Sequence, residues 1–345
     1  MVTSFQSRIL PAPKAGSFRQ DTHWVWCGSP ILGDDGRYHL FSSRWPKSVT
    51  FLHWATASEI VRASADRPEG PYQFEEVVIG ARDPEAWDGQ VAHCPAITRY
   101  GDKFLLFYVG TTFSGKRPEN PEEGKHFSPQ WAEAWNNKRF GFAVADSVLG
   151  PWKRPDRPAL LPQPGAWDSV ITSNPTPCVL PDGRIMVVYK STNVRHPTGQ
   201  FPGRFHLGIA VAADIDSPFK RLTDSPLGIG QHGGNHHLED PCIWWNGSCI
   251  ELIAKDMDGE ICCEPQAAIH AWSTDGIAWH LADSPKAYSR TIRWDDGSTS
   301  TVAKLERPAV LVRDGVPTHL FAATLERGLV GLPAESRNLV IPCSR

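Results

Sequence analysis

The stretch EDPCIWWNGSCIELIAK, residues 239–255, sets two carboxylates against a proline, runs through apolar residues, turns at Asn-Gly and returns through a second apolar run. Two strand-like runs joined by a turn in which glycine supplies positive φ read as a β-hairpin. One hairpin cannot bury its own faces, so its meaning depends on whether the frame recurs. It does, as GSPILGDDGRYHLFSS (28–43), HCPAITRYGDKFLLFYVG (93–110), NPTPCVLPDGRIMVVYKS (174–191) and ERPAVLVRDGVPTHLFAAT (306–324). Registered on Pro30, Pro95, Pro177, Pro241 and Pro308, the copies follow one another at intervals of 65, 82, 64 and 67 residues.

A third strand and its exit also recur, in IVRASADRPEGPYQF, GFAVADSVLGPWKR, GIAVAADIDSPFKR and IHAWSTDGIAWH; the fifth unit ends instead in SRNLVIPC. Units of this size with about four strands each, the last completed by a chain terminus, predict an all-β fold. We expect one five-bladed β-propeller domain over residues 1–345, with blades starting near 28, 93, 174, 239 and 306. The long interval is an insertion after the second strand of blade two, TTFSGKRPENPEEGKHFSPQWAEAWNNKRF, which holds a short helix near SPQWAEAW or stays a solvated loop.

Composition agrees with many short strands and turns: 30 Pro, 29 Gly and 14 Trp in 345 residues. A net charge of -3 provides no field for polyanions, so nucleic acid is not an expected partner. No run of about 18 apolar residues occurs, so a membrane is not expected either, and a start without a signal-like apolar run points to the cytoplasm. The eight cysteines form no Cys-X-X-Cys pair and read as free core thiols, not as a disulfide or zinc framework.

In a propeller the innermost strand of each blade lines the central channel. The starts of those strands, and the connections around them, gather at one mouth. AWDGQVAHCP, AWDSVITSNP, QHGGNHHLEDP and RWDDGSTSTVAKLERP therefore bring Asp88, Asp168, Asp295, Asp296, Glu239 and Glu306 to one face, where like charges raise one another's pKa. The Trp-Asp pairs read equally as a repeated corner, with Trp packing between blades and Asp capping a turn. Glu239 and Glu306 are the stronger functional candidates, since only blades four and five place an acid there.

The blade rhythm, the Gly-Pro-aromatic exits and EDPCI resemble the five-bladed propeller glycosidases of glycoside hydrolase family 43 and the related family 117. The resemblance implies a glycoside hydrolase that removes a terminal sugar from a small oligosaccharide by carboxylate chemistry in the central funnel. A blade-four motif of Glu, any residue and Pro carries the family-43 general acid, which falls on Glu239. The blade-three Asp that tunes this acid is Asn174 here, and the blade-one Asp that serves as base is replaced in GSP by Gly28 and Ser29. Glu306, Asp88 and Asp168 stand as substitutes, and Asp240 adjoins Glu239. Family 117 places a His shortly before the blade-four Glu, a role open to His232, His236 or His237. Related propellers sometimes hold a structural cation in the channel, where His93 is a suitable donor; no cofactor is otherwise required.

Such chemistry needs one carboxyl kept protonated and a second that attacks or activates water. Partial desolvation is expected to raise the pKa of Glu239 for the first task. Trp26, Trp87 and Trp167 stack on a sugar face or pack between blades, and Lys190 and Lys255 at the rim hold a carboxylate or sulfate or lie in solvent. The missing blade-one Asp keeps open a noncatalytic sugar-binding propeller, and a glycoside phosphorylase or lyase would use the same funnel. Oligomeric state is not legible.

Overall fold

The computed structural model describes residues 2–197, 203–230, 233–326 and 335–344. Blade one pairs His23–Leu32, Tyr38–Pro46, Glu59–Ala65 and Gln73–Ile79 in chain order. Blade two pairs Val91–Tyr100, Lys103–Thr111 and Arg139–Ala145, and blade three pairs Ser173–Val179, Ile185–Ser191, His206–Ala212 and Lys220–Arg221. Blade four holds Leu238–Trp245, Ile250–Asp256, Ala268–Ser273 and His280–Tyr288; blade five holds Lys304–Arg313, Val316–Glu326 and Glu335–Pro342. Every pairing within the blades is antiparallel. Each first strand touches the first strand of the next blade, and blade five touches blade one, so the ring is closed as expected. No helix among the described residues is long and apolar enough to cross a membrane.

Stacking is driven by burial between blades. Phe107, Phe140, Val187 and Ala210 fill the seam between blades two and three. Ile209, Leu252, Ile269 and Trp279 fill the next. Side chains of this kind contribute about 1.5–3 kcal/mol each when fully buried. Closure uses both ends of the chain. Glu335–Pro342 adds the expected last strand to blade five, and Ile9 and Phe18 form antiparallel bridges to Cys343 and Asn338. Asn338, fully buried, accepts from Gly28 N at 2.9 Å and donates to Ser42 Oγ at 2.7 Å, tying that strand to blade one.

All five inner strands carry a β-bulge at the same height: after Trp26, His93, Ser173, Glu239 and Glu306. The bulged residues are Cys27, Cys94, Asn174, Asp240 and Arg307, with φ between 51° and 58°. Gly28, Pro95, Pro175, Pro241 and Pro308 follow them. The sequence register on Pro30 and Pro177 is thus two residues late, and the true intervals are 67, 80, 66 and 67. A bulge releases the ladder hydrogen bond that proline cannot make, so proline marks this height in four blades. Blade one has glycine there, and blade three carries a second proline further on.

The insertion of blade two does form a helix, Pro129–Asn136, capped by Ser128 Oγ accepting from Trp131 N. It is no solvated appendage. Trp131 and Trp135 are buried, and the Trp131 indole N–H donates to Leu52 O at 2.9 Å, fixing the helix over the connection between the second and third strands of blade one.

Candidate active site

The five bulged residues make a polar ring around the channel axis, one from each blade. Cys27 Sγ lies 3.9 Å from Cys94 Sγ, and Cys94 Sγ lies 3.7 Å from Asn174 Oδ1. Asn174 Nδ2 donates to Asp240 Oδ1 at 2.9 Å, and the same oxygen takes Arg307 Nε at 3.0 Å. Asn and Asp adopt left-handed backbone readily, but Cys and Arg do so at a cost of about 1–3 kcal/mol. Three of the five positions therefore hold strain around one spot. This register moves the missing blade-one carboxylate from Gly28 and Ser29 to Cys27, while Asn174 keeps its blade-three place.

One residue before each bulge stand Glu239 and Glu306, in equivalent positions of neighbouring blades. The second-strand partner of this position is a lysine in blades three and four: Lys190 faces Ser173, and Lys255 faces Glu239. Each lysine also reaches into the next blade. Lys190 Nζ lies 2.8 Å from Glu239 Oε2, and Lys255 Nζ lies 3.2 Å from Glu239 Oε1 and 2.5 Å from Glu306 Oε1. Lys304 adds a third ammonium 3.0 Å from Glu306 Oε1. Contacts of 3.2 and 2.5 Å to one nitrogen leave those two carboxylate oxygens no more than about 5.7 Å apart, compatible with the roughly 5–5.5 Å of a retaining pair and short of the roughly 6.5–9.5 Å of an inverting one.

These charges reverse the expectation for Glu239. Burial pushes its carboxyl up, but Lys190, Lys255 and Arg307 together pull it well below the usual range, so it rests ionised. Glu306 behaves alike: burial raises it, Lys255 and Lys304 lower it, and it settles at about 2. Burial pushes Asp240 up to about 6, with Arg307 opposing and Glu239 assisting. Burial, then Lys190, drive the Lys138 ammonium well below its ordinary value.

A pH dependence follows. Glu306 titrates near 2 when folded against 4.5 for the free side chain, so its contribution to stability is complete above about pH 4.5 and lost as pH falls towards 2. Asp240, raised from 3.8 to about 6, has the opposite sign: its contribution is present below the lower value and lost as pH rises through the upper. Urea unfolding of Glu306→Gln should show a shallower loss of stability between about pH 5 and 2 than wild type; an unchanged slope would refute the depressed value.

Other expected residues fall elsewhere. Asp88 and Asp168 are fully buried corner groups away from the funnel. Asp88 takes Arg154 Nη2 and Tyr108 OH, each at 2.6 Å, as well as Arg82; Asp168 takes Arg221 Nε at 2.6 Å and Tyr189 OH at 2.8 Å. Trp87 stacks on Tyr108 at 5.4 Å and Trp167 on Tyr189 at 6.1 Å, so neither indole is a sugar platform. A Cβ on Gly110 or Gly208 would stand 2.5 and 2.8 Å from those rings, which is why glycine lies beneath each. The corner reading of the Trp-Asp pairs holds in both blades. Asp88→Asn, which strips two arginines of their charge partner, should lower stability by about 3 kcal/mol in urea unfolding and leave any turnover per folded molecule unchanged.

Trp26 is 4% exposed and packed edge-on against Phe51 at 5.0 Å, which removes it too as a platform. Asp295 and Asp296 sit on the exposed hairpin Thr291–Arg293/Thr299–Thr301, where Asp296 pairs with Lys14. His237 is near the site, with Nδ1 3.4 Å from Asp258 and its ring edge-on to Phe205. His232 lies outside the described residues. His93 stands at the pre-bulge height, its ring stacked on Trp54 at 5.3 Å.

Sequence reasoning passed over three groups: Trp54, Lys138 and Arg307. Trp54, which opens the short helix Trp54–Ala57 after the second strand of blade one, is partly exposed. Lys138 Nζ lies 4.1 Å from the Trp135 ring centre and 5.1 Å from that of Trp54. The residue is 3% exposed, and its ammonium makes no hydrogen bond or ion pair among the described residues. The charges of Lys190, Cys94, Arg307 and Glu239 all act on it. On the far side of the ring, the channel is a cavity of about 730 Å³ walled by Ile31, Ile97, Val179, Ile243 and Val310. The two glutamates are not part of that lining.

No family model matches the chain, and no curated protein does. Solved structures do. Zg3597, a family 117 glycoside hydrolase from Zobellia galactanivorans, is 16% identical over 96% of this chain and 87% of its own, with a TM-score of 0.61. A structure described as a glycoside hydrolase is 15% identical over 99% and 93%, with a TM-score of 0.67. A thermostable family-43 glycoside hydrolase is 11% identical over 95% and 92%, with a TM-score of 0.57. Identities this low carry the architecture and not the chemistry. The chain has the five-bladed propeller fold shared by glycoside hydrolases of families 43 and 117.

Proposed function

We propose that the protein is a glycoside hydrolase that removes a terminal, negatively charged sugar from a small oligosaccharide, with Glu239 and Glu306 as its carboxyl pair. The observation that carries this reading is the sharing of Lys255 Nζ by two carboxylates from neighbouring blades. Glu306, held ionised by Lys255 and Lys304, is suited to attack the anomeric carbon or activate water. Glu239 must take up a proton before it can donate one to the leaving oxygen.

Lys138 and Lys190 explain how. A buried ammonium without an anionic partner is unfavourable, and a carboxylate or sulfate on the sugar supplies that partner. Its negative charge offsets the lysines that hold Glu239 ionised, so the acid is readied only when the right sugar is bound. Trp54 offers an apolar face beside it.

The test is a panel of aryl glycosides and short oligosaccharides, neutral, uronic and sulfated, against wild type, Glu239→Gln and Glu306→Gln. Hydrolysis confined to charged glycosides is the expected result, lost in Glu306→Gln for every substrate and in Glu239→Gln for those whose leaving group needs a proton. Lys138→Met should raise KM for a charged substrate roughly tenfold or more, the worth of one charge-assisted contact, while a neutral analogue is unaffected. Cys27 and Asn174, in place of two expected carboxylates, favour a second reading as a noncatalytic sugar-binding module. Wild type that binds charged oligosaccharides but hydrolyses none would establish it.

A further inference from the structure

We propose that Cys27, His93 and Cys94 form a binding site for one soft transition-metal ion, zinc in the first instance, at the floor of the funnel. This inference does not rest on the glycosidase reading.

Geometry carries it. A tetrahedral zinc with Zn–S of about 2.3 Å and Zn–N of about 2.0–2.1 Å places two sulfurs about 3.8 Å apart and a sulfur and nitrogen about 3.5 Å apart. Cys27 Sγ lies 3.9 Å from Cys94 Sγ and 3.6 Å from His93 Nε2, and all three ligand atoms lie within 4.8 Å of one another. The two spacings from Cys27 Sγ match the edges of such a tetrahedron. A disulfide would need the sulfurs at about 2.05 Å.

The donors come from adjacent blades by the rule that built the ring. Cys27 and Cys94 occupy equivalent bulged positions, both with left-handed backbone, and His93 is the residue before the second bulge. The imidazole is held on its other side, as metal-bound histidines are: Ser58 Oγ lies 2.8 Å from Nδ1, and Trp54 stacks on the ring. That leaves Nε2 as the nitrogen facing the thiols. All three residues are buried, with exposures of 3%, 4% and 6%.

Ligand chemistry selects the ion. Calcium and magnesium take six or more oxygens, whereas two thiolates and an imidazole suit zinc or copper(I). Three protein ligands leave a fourth vertex, and Asn174 Oδ1 stands 3.7 Å from Cys94 Sγ at the distance of one. Binding would release thiol protons, so affinity should rise with pH.

The experiment is equilibrium dialysis of the full chain, first against a chelator and then against zinc, followed by metal analysis and thermal unfolding. We expect one zinc per chain and a rise of several degrees in Tm that saturates at one equivalent; Cys27→Ser/Cys94→Ser should retain less than a tenth of the metal and show no rise. Cobalt(II) should give the intense visible absorption of a tetrahedral site, with a thiolate charge-transfer band in the near ultraviolet. Should the serine pair fail to fold, the cobalt spectrum of wild type still decides. Wild type retaining less than a tenth of an equivalent overturns the site. So do a weak octahedral cobalt spectrum, undiminished binding in the serine pair, or a Cys27–Cys94 disulfide that forms despite bound zinc.

Discussion

Glu239→Gln is expected to reduce turnover of a charged glycoside by roughly a thousandfold, within the range by which a general acid accelerates bond cleavage. Glutamine keeps an acceptor oxygen facing the lysines but cannot give up a proton; because it also leaves Lys190 without its charge partner, turnover is compared per folded molecule. The loss should depend on the leaving group. An aryl glycoside whose phenolate departs without protonation should recover most of the rate in Glu239→Gln and none in Glu306→Gln, because only the first variant lacks merely a proton donor. Retention of more than a tenth of wild-type turnover by Glu239→Gln, with an unactivated substrate, would remove this residue from the mechanism.

Lys255→Met has the largest effect expected on stability. Its ammonium is the shared partner of two buried carboxylates, and removing one member of a buried ionic cluster costs about 3–5 kcal/mol. Methionine fills much of the volume, so the loss is electrostatic and not a cavity effect. Urea unfolding at neutral pH measures it. Adding Glu239→Gln and Glu306→Gln to Lys255→Met should recover much of the loss, since the orphaned charges are then gone, and the coupling should exceed 1 kcal/mol. A change below about 1 kcal/mol for Lys255→Met alone would mean that the three groups are solvated and the cluster is not a buried one.

The fold was legible because five hairpins repeat one frame, and a repeated frame averages out local ambiguity. Its register was not: proline was the marker, but the physical event is the bulge, and blade one marks that with Gly28. The glutamates were legible from their place beside a proline in only two blades. Lys255 lies opposite Glu239 across a hairpin, so its nearness was readable, whereas Lys304 and the reach of Lys190 into blade four needed coordinates. Asp88 and Asp168 misled because AWD has the same wording at a rim as at a corner. What decides between them is Arg154 and Arg221, 66 and 53 residues away along the chain. Cys27 and Cys94 looked like small core side chains, and nothing local says that two strands 67 residues apart turn their sulfurs to one point.

The pairing of Ile9 with Cys343 and of Phe18 with Asn338 also constrains biosynthesis. Ile9 and Phe18 have no partner strand until Cys343 and Asn338 have been made, more than 300 residues later. Closing a loop of that length carries a large entropic cost, so the seam between blades five and one is expected to form late in folding. A chain lacking Glu335–Pro342 would leave the edge of Val316–Glu326 open to neighbouring molecules.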